Sequence, residues 1–216
     1  MAECFFELDE DLLQIPALKD GSDRSGCTAL AVSLTHSHVV FCNAGDSRAI
    51  FVGNAGRVMF ATEDHKPDNE VELNRITKAG GAVYDHRVNG DLAVSRALGD
   101  FKYKCQPGVE PAEQPVTCKP DITLVPRRHE LDEFVLLACD GIWDVMSNEA
   151  AAQFVYDKMV VGFGMGRICE LLLDHCLELG SRDNMSVVIV ALPNAPQQIG
   201  TYREPAPPSP ASAPLD

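Results

Sequence analysis

Three short apolar or β-branched runs, residues 27–35, 38–43 and 48–53, follow one another almost without pause. Turn formers sit between and after them, Asn43-Ala44-Gly45-Asp46 and Gly53-Asn54-Ala55-Gly56. Such punctuation marks strands. The spacing leaves no room for the crossover that a parallel pair needs, so an antiparallel meander is expected.

Further on, a helix should follow Pro67. Asp68 or Asn69 can cap it, Glu70 and Glu72 suit its positive end, Lys78 suits the other, and Gly80-Gly81 stops it. Residues 121–125 and 133–139 read as strands. Ser147 or Asn148 can cap a helix with Ala151, Phe154, Val155 and Met159 on one face. Residues 167–179 form another, with Ile168, Leu171, Leu172, Cys176 and Leu179 inward and Gly180 as the stop. Residues 185–192 are nearly all apolar, which predicts a strand buried on both faces. Strands and helices segregate rather than alternate, so the fold class is α+β with layered packing.

Charge narrows the function classes. The 216 residues carry 18 Lys and Arg against 32 Asp and Glu, a formal net charge of −14. Nucleic acid and anionic membranes recruit cationic side chains, so neither is expected as a partner. No apolar run reaches the length of a transmembrane helix, and the acidic N-terminus lacks the features of a signal peptide. The eight cysteines form no C-x-x-C pair and several lie in apolar runs. Buried free thiols in a reducing compartment, cytoplasm or nucleus, are expected. Seven of the 14 prolines fall between Pro193 and Pro214, which predicts a disordered Pro-rich tail over 195–216. Nothing marks an oligomer interface, and a monomer is expected.

Three acidic spots stand where strands begin or end. Asp46 lies between two apolar runs, Asp140 ends the run 134–139 and is followed by Gly141-Ile-Trp-Asp144, and Asp183 precedes the last run. Taken singly, a turn aspartate more often binds nearby backbone amides. Together, converging strand ends would bring carboxylates into repulsion that a cation relieves. Hard oxygen donors select Mg²⁺, Mn²⁺ or Ca²⁺ over zinc. Spacing alone does not show convergence. The histidines, His65 included, read as surface or satisfied-core residues, and the single Trp143 reads as a packing residue. No G-x-S-x-G, Ser-His-Asp order or P-loop is present.

Seven blocks occur in order: Ser25-Gly-Cys-Thr-Ala, Asn43-Ala-Gly-Asp-Ser-Arg48, Asp64-His-Lys-Pro67, Arg87-Val-Asn-Gly90, Leu92-Ala-Val-Ser-Arg-Ala-Leu-Gly-Asp100, Ala138-Cys-Asp-Gly-Ile-Trp-Asp144 and Ser181-Arg-Asp-Asn-Met-Ser186. With them the chain resembles the metal-dependent protein serine/threonine phosphatases, the type 2C or PPM family, in its vertebrate alpha, beta and 1N-like subgroup. The resemblance runs from about residue 25 to 194, within a partial phosphatase domain over 1–194.

The resemblance implies a β-sandwich of two antiparallel sheets flanked by helices, with a binuclear Mg²⁺ or Mn²⁺ centre at one end. Asp140 and Asp183 look like ligands of that centre, and Asp144 and Asp46 resemble the acidic residues linked to a third metal. Arg96 and Asp100 fall in a block near the cleft with no specific role carried over. Arg182 and Asn184 are implied supporting residues. The implied reaction is two-metal hydrolysis of phosphoserine or phosphothreonine on a protein substrate, without a phosphoenzyme.

The family's Asp-Gly-His-Gly-Gly and Arg-x-x-Met-Glu-Asp segments, which supply a bridging Asp, a general-acid His and a phosphate-binding Arg, do not occur in this sequence. No catalytic acid or phosphate-binding residue is therefore identifiable. The resemblance implies an N-terminally truncated form lacking strands of the sandwich, with an exposed sheet edge and apolar face. It leaves a second reading beside the enzyme: a catalytically impaired isoform that binds partners.

Overall fold

The structure is a computed structural model that describes residues 1–196. The tail expected over 195–216 lies outside the described residues from position 197 onward.

The chain opens with α1 (Ala2–Leu12) and a short α2 (Pro16–Lys19). Then come β1 (Gly26–Cys27), β2 (Ala29–Leu34), β3 (His38–Ala44), β4 (Arg48–Gly53) and β5 (Arg57–Ala61). A lateral region follows, with α3 (Glu70–Lys78), the hairpin β6 (Val83–Tyr84) and β7 (Arg87–Val88), and β8 (Leu98–Gly99). The chain returns through β9 (Asp121–Pro126), β10 (Asp132–Ala138), α4 (Asp140–Trp143), α5 (Asn148–Val161), α6 (Met165–Glu178) and β11 (Val187–Ala191).

Two antiparallel sheets form the frame, ordered β2-β3-β9 and β11-β10-β4-β5. Side chains alternate across each strand. Val39 and Phe41 therefore meet Ala49, Phe51 and Val135 between the sheets. The alternate residues Ile50, Val52, Phe134 and Leu136 pack outward against Val155, Met159, Ile168 and Leu172 of α5 and α6. Burying each such side chain contributes about 1.5–3 kcal/mol. The central strands β4 and β10 are covered on both faces, which is why they read as unbroken apolar runs.

The expected meander is corrected here. β2 pairs with β3 and β4 with β5, but β3 and β4 lie in different sheets. The chain changes sheet at Gly45, whose φ is +131°. A Cβ there would lie 2.3 Å from Thr28 Cγ2, so glycine is required by both conformation and space. Loop length signals a turn but does not say which sheet receives the next strand. The last strand also differs from expectation. β11 pairs only with β10 among the described residues, and Val188 is 56% exposed, so this is a half-exposed edge.

Of the predicted helix signals, the α3 cap fails: Asn69 sits at the N-cap but donates Nδ2–H to the Asp64 carbonyl, and Asp68 turns to His86. Ser147 Oγ accepts from the Ala150 N–H at 3.1 Å, and Gly162 with φ +95° ends α5. Phe154 is only half-buried, because it stacks on His175 of α6 near the surface. Leu179 is exposed, since α6 ends before it. The acidic N-terminus is helical in α1, and its buried Asp9 accepts from the Gly99 N–H and from Lys104. The outer face of β2-β3-β9 carries exposed Ile122 and Leu124.

Candidate metal centre

Strand order brings the predicted aspartates to one end of the four-stranded sheet. β10 lies between β4 and β11, and Ala138 at its end registers with Arg48 and with Val187. Asp46 lies just before Arg48, Asp140 just after Ala138, and Asp183 shortly before Val187. Antiparallel pairing therefore puts all three on the same rim. Asp144 joins them as the residue closing α4.

Close packing fixes the two segments that carry three of these groups. A Cβ on Gly141 would lie 2.6 Å from the Asn184 carbonyl oxygen, so only glycine allows this approach. Ser181 Oγ donates to the Gly141 carbonyl at 2.7 Å. Cys139 Sγ donates to the Asn184 carbonyl and accepts from the Ser186 N–H. Trp143 is buried and donates Nε1–H to the Ala138 carbonyl at 2.9 Å. The indole is thus a packing residue, with the Arg48 guanidinium over its ring.

Electrostatics single out Asp140. Burial pushes its carboxyl up, and the charges of Asp46, Asp183 and Asp144 push it further, with Lys66 opposing. Asp46 is buried and takes an ion pair from Lys66 Nζ at 2.5 Å. Burial would lower the Lys66 ammonium, but its hydrogen bond to Asp46 and the nearby Asp64 and Asp140 charges outweigh that and raise it. The Lys66 ammonium thus serves Asp46 directly and feels the charges of Asp64 and Asp140. The carboxylate oxygens of the rim are hard donors, chemically suited to Mg²⁺ or Mn²⁺. Among the described residues no three acidic, His or Cys side chains are yet gathered closely enough to hold an ion.

The other predicted residues fall at different distances from this rim. Arg182 is exposed and lines a shallow cleft of about 390 Å³ with Asp144 and Asp183. Asn184 acts through its backbone, donating N–H to Asp183 Oδ1 at 2.7 Å. Arg96 is buried and turned to Glu72 and Asp121, with Nη2 2.6 Å from Glu72 Oε1 and Nη1 2.6 Å from Asp121 Oδ1. Asp100 sits against Gly26 of β1, and burial followed by the Asp9 and Asp91 charges raises its carboxyl against the pull of Lys104 and Lys102.

Sequence reasoning missed several groups around the centre. Arg48 makes two hydrogen bonds of 2.8 Å to Asp64 and a third to Asn148, tying the β4 start to the segment after β5 and to α5. Glu72, expected to serve a helix dipole, is instead 2% exposed and bound by Arg75, Arg96 and Ser95. His65 is buried with both ring nitrogens bonded, one of the two placements expected for it, but its partners Gly45 and Asp121 were not foreseen. The signal available was the block Asp64-His-Lys-Pro67: charged residues that match in a loop are there for contacts, not for packing.

A family model described as Protein phosphatase 2C matches residues 1–185. Protein phosphatase 1B of Mus musculus is 51% identical over 193 residues, covering 89% of this chain and 49% of the relative. The chain thus spans about half the length of the curated relatives it matches. A solved phosphatase from Toxoplasma gondii superposes with a TM-score of 0.67 at 33% identity, covering 72% of this chain and 48% of that one. The structure of a C. elegans sex determining protein gives 0.72 at 27% identity, covering 90% and 46%.

Proposed function

The chain belongs to the protein phosphatase 2C family, and on that premise we propose that it serves metal-dependent hydrolysis of phosphoserine or phosphothreonine in proteins. The observation that carries this reading is the rim of aspartates on which the charges of Asp46, Asp183 and Asp144 all act on Asp140. Asp140 and Asp183 would hold the principal Mg²⁺ or Mn²⁺, with Asp144 and Asp46 toward a further ion. When bound, such ions lower the pKa of water and neutralise phosphoryl charge. The chain's own part is to orient carboxylate oxygens: Gly141 and Ser181 lock the Asp140 turn to the Asp183 loop. Asn184 steadies the Asp183 carboxylate through its amide. Arg182, in the cleft beside Asp144 and Asp183, is suited to attract an anionic phosphoryl group. Eight free thiols support a reducing, cytoplasmic or nuclear setting.

The test is phosphopeptide hydrolysis by the purified chain with Mn²⁺ and with EDTA. Turnover that needs Mn²⁺ and is lost in Asp140→Asn supports the enzyme. Absence of turnover in a folded chain would instead favour a phosphatase-related binding protein.

A further inference from the structure

We propose that His65 is a positioning residue that sets the Asp46 carboxylate by clamping the peptide of Gly45. This rests on the reading of Asp46 as a metal-facing group. The Gly45 N–H donates to His65 Nδ1 at 3.1 Å, and the His65 N–H donates to the Gly45 carbonyl at 3.0 Å. Both polar groups of one glycine are thus bonded to one histidine, and the carbonyl also accepts from Asn43 Nδ2 at 3.2 Å. That glycine is where the chain changes sheets, at φ +131°, so its neighbours cannot hold it through a regular ladder.

An imidazole nitrogen that accepts from a backbone N–H carries no proton. Nε2 therefore bears the hydrogen, and it donates to Asp121 Oδ2 at 3.2 Å. Asp121 is fixed in turn by Arg96, and Arg96 by the buried Glu72. The His65 carbonyl accepts from the Ser95 N–H, and the single Ser95 hydroxyl proton is shared between this carbonyl and Glu72. The ring is 3% exposed, with each nitrogen satisfied. The next residue, Lys66, reaches Asp46 itself. One dipeptide thereby holds the backbone before the carboxylate and the carboxylate. Outer partners of this kind orient ligands without touching the ion.

The experiment separates the clamp from simple packing by using two substitutions of similar size. Asparagine can place an amide oxygen near the Nδ1 position and still accept from Gly45. Glutamine reaches the Nε2 position and leaves the Gly45 N–H without its acceptor. Amide hydrogen exchange at Gly45 is read in EDTA, and Mn²⁺ affinity is read by calorimetry. His65→Gln should speed Gly45 exchange and weaken Mn²⁺ binding, each about tenfold, while His65→Asn stays within about threefold of wild type. Equal behaviour of the two variants would overturn the clamp. If His65→Gln does not fold, Asp121→Ala at the exposed end of the relay should speed Gly45 exchange about threefold, and unchanged exchange there would overturn the clamp as well. Asp46→Asn is the reference: unchanged Mn²⁺ affinity in it removes the metal reading of Asp46, whereas the exchange result still judges His65.

Discussion

Two groups of acidic side chains in this molecule handle charge in opposite ways. Glu72 is 2% exposed, yet it receives hydrogen bonds from Arg75, Arg96 and Ser95. Burial alone would push its carboxyl up, but Arg96, Arg75 and Ser95 together hold it down at about 2. On the rim, burial followed by the charges of Asp46, Asp183 and Asp144 pushes Asp140 up, with only Lys66 opposing it. A buried carboxylate whose donors are all supplied by the protein is structural. A set of carboxylates left short of positive charge is prepared for a cation from outside.

The sharpest break of this comparison is Glu72→Gln. It strands Arg75 and Arg96 in a buried site, and should cost about 3–5 kcal/mol in a urea melt. A loss under about 1 kcal/mol would show that the hub is not the anchor described. Next in size is the response to metal. Mn²⁺ at roughly a hundred times its Kd should stabilise the wild type by about 2.7 kcal/mol and Asp140→Asn far less. Equal stabilisation of both would place the ion elsewhere.

The acid limb gives a third check. The Glu72 carboxyl lies at about 2 in the fold against 4.5 for the ordinary group. Its contribution is therefore complete above about pH 4.5 and falls away as pH drops through about 2. Glu72→Gln should flatten that part of the stability curve; an unchanged slope would assign acid unfolding to other carboxylates. The smallest effect concerns the rim without metal. In EDTA, Asp140→Asn relieves repulsion and should raise stability by about 0.5 kcal/mol, measured as a higher Tm. A lower Tm would mean that Asp140 is structurally compensated like Glu72.

Much of the framework was legible along the chain. The apolar runs of β3, β4, β9 and β10, the Ser147 cap and the glycine stops after α3 and α6 all appear where local rules put them. The three acidic strand ends were visible as candidates because each interrupts an apolar run. Less was legible in the block Asp64-His-Lys-Pro67. Its polar residues looked like an ordinary turn, since their partners Gly45, Asp46, Arg48 and Asp121 lie far off in sequence.

What the sequence by itself determined is the set of central elements, β2 to β4, β9 to β11 and helices α3, α5 and α6, because periodicity, caps and turn residues act between near neighbours; α1, α2, α4 and the short strands β5 to β8 were not read from it. It also determined the chemistry on offer: hard carboxylate oxygens in a chain of net charge −14. Only the tertiary structure decided that β3 and β4 part into separate sheets, that β10 lies between β4 and β11, and that three strand ends thereby meet on one rim. It alone decided that Glu72 is a compensated hub while Asp140 is not. Strand order and charge compensation depend on contacts between residues far apart in the chain, and local pattern carries no record of them.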